Sequence, residues 1–167
     1  MIDKQWKQML WGQLGGAIDM LENAIVACPD EVWRAGEPPR ALWYVTYHTL
    51  FFLDLNTFGA VEGFAPPPPY TLDELDPAGI YPQEVYSREQ LVDYLRVCRE
   101  RCREAILELT EQSAAKRCDL WWVDESYGEL FVRSLRHVQH HTAQLNWVLG
   151  ERGLAPRWVG ATKVPLG

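Results

Sequence analysis

The sequence predicts an all-α fold: a four-helix bundle with a long crossover between its second and third helices, one domain spanning residues 1–167. Three observations carry that prediction. Four stretches repeat apolar residues at helical spacing, and no stretch shows the convincing apolar–polar alternation of a half-buried strand. The one long interruption, residues 59–86, is too rich in proline and glycine for regular structure to persist.

The first helix is expected over Asp3–Ala27, where Ile2, Trp6, Met9, Gln13, Ala17, Met20 and Ala24 recur every three or four residues and Pro29 marks a stop. A second is expected from Pro39 to Phe58. There Ala41, Tyr44, Val45, His48, Phe51, Phe52 and Leu55 share one stripe, with Pro38 and Pro39 at the start and Gly59 behind. Residues 59–86 read as the crossover, with the run Pro66–Pro69 as spacer. Connections of this length in compact domains carry function or bridge distant ends, so a contribution to a pocket wall is expected. Ser87 followed by Gln90 is a capping-box pattern that opens the third helix. Leu91, Leu95, Cys98, Cys102, Ala105 and Leu109 then step by four and three, the seam spacing of helices packed nearly parallel or antiparallel. The fourth helix is expected over Tyr127–Leu149 with Gly150 as its stop, followed by an irregular tail. A single long connection lets the second and third helices run in the same direction.

Composition removes several functions. The net charge is −7 and no basic run occurs, which argues against nucleic acid as a partner. Nothing approaches 18 consecutive apolar residues, so no membrane span is expected, and the charged N-terminal stretch lacks the apolar core of a signal peptide. A cytoplasmic protein follows, with Cys28, Cys98, Cys102 and Cys118 as reduced thiols. Cys98 and Cys102 occupy the apolar seam and read as core; Cys118 is the more reactive candidate. Leu42, Leu50 and Leu53 lie off the inward stripe of the second helix, which suggests a homodimer through that helix.

The four histidines sit in two places, His48 in the second helix and His137, His140 and His141 in the fourth. At about 100° per residue, His141 falls on the apolar face of the fourth helix, His137 lies about 40° away, and His140 projects about 100° away. His48 lies near the middle of its stripe. A buried imidazole needs a hydrogen-bond partner or a metal, and His137 and His141, one turn apart, have the geometry with which a helix offers two imidazoles to one ion. Spacing alone leaves both readings open: a metal site, or core histidines satisfied by hydrogen bonds. Asp54 projects away from His48 and reads as a solvated or interhelical residue.

The stretch His137-Val-Gln-His-His141-Thr-Ala-Gln-Leu, with an inward His48 in the second helix and a long middle connection, resembles the DinB-like (DinB/YfiT) family of metalloenzymes. That resemblance implies a four-helix bundle in which His48, His137 and His141 bind one divalent metal. Where the family pattern often continues with a basic residue and glycine before Gln, this chain has Thr142 and Ala143 before Gln144, a departure that bears on substrate rather than metal. Characterised relatives use low-molecular-weight thiols such as bacillithiol or mycothiol, so the resemblance implies a thiol-dependent S-transferase. A metal-dependent hydrolase on the same triad is the second reading, and a noncatalytic metal- or small-ligand-binding bundle the third.

Three imidazoles and an open position suit Zn2+, with Ni2+, Fe2+, Co2+ or Mn2+ as alternatives. Such an ion can polarise a carbonyl, generate hydroxide, or lower the pKa of a coordinated thiol. Tyr44 and Gln144, each about one turn from a histidine of the triad, are candidates to line the pocket and donate a hydrogen bond near the open position. No acidic cluster accompanies the histidines in the second or fourth helix, as a hydrolytic general base would require.

Overall fold

The computed structural model describes residues 2–167, and among these the chain is all-α, with six α-helices and no strand. Four are long: α1 (Lys4–Ala27), α3 (Leu42–Phe58), α4 (Arg88–Glu108) and α6 (Tyr127–Gly150). Two are short, α2 (Asp30–Trp33) and α5 (Glu111–Ala115), and a single 3-10 turn, Asp73–Leu75, interrupts the long connection. The sequence reading missed all three short pieces, since a stretch of one turn shows no period.

Local chemistry sets the helix ends. Asp3 accepts from the Gln5 N–H ahead of α1. Ser87 and Gln90 form the capping box of α4, and Ser126 with Glu129 that of α6. α3 begins at Leu42, later than expected, with Ala41 as an extended N-cap, and it stops at Gly59, whose φ of 85° is the left-handed conformation open to glycine.

Each long helix packs on two others, α1 on α4 and α6, and α3 on α4 and α6. Bonds along the interfaces give the directions. Cys98 Sγ reaches Leu50 O and Cys102 Sγ lies 3.0 Å from Thr57 Oγ1, so α3 and α4 run the same way. Asn56 donates to Ser134 Oγ and the Tyr127 hydroxyl to Thr57 O, while His48 meets His137, so α3 and α6 run oppositely. The seam cysteines are buried in the core, where desolvation pushes the Cys102 thiol up to about 12 and that of Cys98 well above its ordinary value.

The connection between α3 and α4 is an aromatic cover. Tyr70 stacks on Tyr47 and on Tyr94, Tyr86 packs against Tyr47, and Phe64 against Phe51. α3 is thereby enclosed on nearly every side. Leu42, Leu50 and Leu53, which suggested a self-association face, are buried within the chain itself and offer no surface to a second copy. The tail after α6 is irregular as expected, but it folds back on α1: the Thr162 N–H donates to Gly12 O, Trp11 Nε1–H to Val164 O, and Gly15 and Gly16 give the strand of chain room to approach. Among the described residues no helix is long and apolar enough to cross a membrane.

Candidate metal centre

α3 and α6 bring His48, His137 and His141 together, with one ring nitrogen of each inside a cluster no more than 4.8 Å across. His137 Nε2 lies 3.1 Å from His141 Nε2 and 3.4 Å from His48 Nε2. Two of the outer nitrogens are committed. His48 Nδ1–H donates to Glu74 Oε2 at 2.7 Å, and His141 Nδ1–H to Gln144 Oε1 at 2.8 Å. Both acceptors are oxygens that can only accept, so both rings hold their proton on Nδ1 and turn an Nε2 lone pair inward.

Two lone pairs aimed at a third imidazole leave a deficit of positive charge. A proton on His137 Nε2 points at one neighbour or is shared between both, and its Nδ1 is buried without a partner in either case. Burial, then the neighbouring His141 and His48, push the His137 pKa down to about 3, and burial and His48 also lower that of His141 although Gln144 opposes this. These two imidazoles are therefore neutral near pH 7, the form in which imidazole ligates. The donor set fits a divalent ion: Zn–N bonds of about 2.0–2.1 Å in a tetrahedron put neighbouring nitrogens about 3.3 Å apart.

Glu74 was not anticipated. It arrives from the 3-10 turn of the long connection, and its side chain is only 3% exposed. One carboxylate oxygen holds His48 while the other, Oε1, is buried with no hydrogen-bond partner. A cation on the far nitrogen of His48 would compensate that charge, the arrangement in which a carboxylate orients a ligating histidine from behind. The connection was expected to contribute a wall to the pocket; none of its residues lines the cleft, and it reaches the site instead from behind His48, through Glu74. The sequence does carry a signal, the acidic stretch Asp73, Glu74 and Asp76 within a proline-rich loop, but the path of a loop is set by tertiary packing.

The remaining candidates divide. Tyr44 lines the cleft beside the triad, and burial together with the adjacent Glu74 raises its hydroxyl pKa. Gln144 also lines the cleft, but its carboxamide sits on the Nδ1 side of His141 and orients that ring, whereas the sequence reading had it donating near the open position. The reason is geometric: a residue three positions on lies over the outer edge of the ring. His140 is exposed, with its ring 5.0 Å from that of His141. Asp54, 1% exposed, is interhelical, bound by Arg101 and the Tyr94 hydroxyl of α4. Phe52 packs against both His48 and His137, and Trp122 against Phe52, closing the inner side.

On the outer side the cluster opens into a cleft of about 630 Å³ between the start of α3 and the end of α6. His48 and His141 line it; none of its lining residues is acidic. A family model described as the DinB superfamily matches residues 13–145. No curated protein and no solved structure gives a match.

Proposed function

The chain belongs to the DinB superfamily, and from that premise we propose that it is a metalloenzyme whose His48, His137 and His141 hold one divalent ion, Zn2+ before Ni2+, Fe2+, Co2+ or Mn2+. The observation that carries the proposal is the convergence of three Nε2 atoms whose Nδ1 protons, at His48 and His141, are tied down by Glu74 and Gln144. We read residues 1–167 as a single domain, the four long helices as a four-helix bundle, and residues 59–86 as its crossover; the parallel run of α3 and α4 supports this. The setting is cytoplasmic, where the four free thiols persist.

The reaction proposed is S-transfer from a low-molecular-weight thiol. A divalent ion bound there supplies a Lewis acid that lowers the pKa of a thiol reaching it. The chain's own part is to hold three imidazoles in place, to close the inner side with Phe52 and Trp122, and to leave the cleft side open. Hydrolysis, the second reading, requires a base that can take a proton from water. The nearest carboxylate, Glu74, is behind His48 and committed to it, and none lines the cleft, so the transferase reading is favoured.

The test is a thiol-transfer assay. Metal-loaded protein is mixed with a panel of small thiols and chlorodinitrobenzene; sulfur bonds to the aromatic carbon, chloride leaves with its electron pair, and the thiol proton passes to solvent. Turnover with at least one thiol, abolished in the His137→Ala/His141→Ala variant, is the expected result. Rates equal in wild type and variant for every thiol would remove the transferase reading.

A further inference from the structure

We infer that the cleft beside the triad takes a small organic acid with a flat apolar body, its carboxylate paired with Arg40 at the mouth and its other end directed at His48 and His141. This deepens the reading of the site as a metalloenzyme's and rests on it for its substrate role, but the ligand class follows from separate features. A cleft of about 630 Å³ is of ordinary size for a small-molecule site. Its walls are apolar: Leu42 and Val45 from the start of α3 face Trp147 and Val148 from the end of α6.

Trp147 is the least expected of these. It is 73% exposed although it lines the cleft, so a large indole stands on the wall without a covering group. Such a ring offers a stacking surface to a planar ligand at low conformational cost.

Charge selects the other end of the ligand. The chain carries 23 acidic residues and a net charge of −7, yet its cleft is lined by no acid at all. The cleft's cation is Arg40, an exposed guanidinium with no ion pair or hydrogen bond among the described residues. Arg88, Arg99, Arg101 and Arg133 each hold a carboxylate of the chain itself, whereas Arg40 is the arginine that stands at this cleft. A free fork-shaped donor above an apolar slot matches a carboxylate on an apolar body, because the planar guanidinium pairs with that group through two parallel bonds.

Arg40 and Trp147 are both exposed, so substituting them leaves the core intact, and thermal unfolding checks this. The probes are naphthylacetate and its neutral counterpart naphthylethanol, titrated calorimetrically into metal-loaded protein. The acid should bind at least tenfold more tightly, a difference of about 1.4 kcal/mol. Arg40→Gln should bring the two probes to equal affinity, Trp147→Ala should weaken both alike, and the preference for the acid should persist in His137→Ala/His141→Ala. Equal affinities in the wild type, or no binding of either probe, would overturn the inference. A preference that survives Arg40→Gln but vanishes in the double histidine variant would also overturn it, by putting the carboxylate on the triad while leaving the metal reading standing. Should the chain take up no metal yet keep an Arg40-dependent preference, the ligand class holds and the metalloenzyme reading falls.

Discussion

The fate of the Nδ1 protons is what separates a metal-ready cluster from three core histidines. In this chain a carboxylate and a carboxamide each take one, leaving Nε2 of His48 and His141 as inward acceptors. Such partners fix ring orientation and ligand basicity, and removing one commonly weakens metal affinity about 10–100-fold. Glu74→Ala should therefore weaken divalent-ion binding within that range, as measured by competition with a chromophoric chelator. Glu74→Gln, which keeps an acceptor and loses only the charge, should weaken it less. Unchanged affinity in Glu74→Ala would mean that Glu74 plays no part at the site. The three histidines were legible in the sequence because helical spacing alone places each on an inward face. Glu74 was not, because its position depends on how a proline-rich segment crosses the molecule, and Gln144 was legible as a neighbour of His141 but not as to which ring nitrogen it meets.

Among the elements, the long helices were written in local pattern, and the capping boxes at Ser87 and Ser126 fixed where two of them start. What pattern could not show was coverage. The stripe of α3 predicts one buried side, whereas Tyr70, Tyr86 and Phe64 of the connection cover Tyr47 and Phe51 and α4 meets Leu50 through Cys98, and Leu42, Leu50 and Leu53 are core residues and not a dimer face. The tail gives a second case. Its seat is the pair Gly15–Gly16 on α1, where a Cβ at Gly15 would lie 2.5 Å from Thr162 Cγ2 and one at Gly16 would lie 3.1 Å from the Ala161 backbone. In an isolated helix, replacing Gly by Leu gains roughly 0.5–1 kcal/mol of propensity. Gly15→Leu should nonetheless lower the melting temperature, because it displaces the tail and uncovers Trp11, and limited proteolysis should release the tail faster. A raised melting temperature with an equally protected tail would show that the glycines are not its seat.

For the molecule as a whole, the arrangement gathers its function at one end. α3 and α6 run oppositely and meet at His48 and His137, and the connection that lets α3 and α4 run the same way also delivers Glu74 behind the first of those histidines. Topology and site chemistry thus share one segment, residues 59–86. That coupling explains why a segment without regular pattern was legible only as a connection with a role. The central claim, one divalent ion on three imidazoles, is tested most directly by elemental analysis of the protein purified without an affinity tag, beside the His137→Ala/His141→Ala variant. The account predicts about one zinc or other divalent transition-metal ion per chain in the wild type and none in the variant. A wild-type protein that carries no metal and takes up neither zinc nor nickel would contradict it, leaving the three histidines as a hydrogen-bonded cluster beneath a ligand cleft.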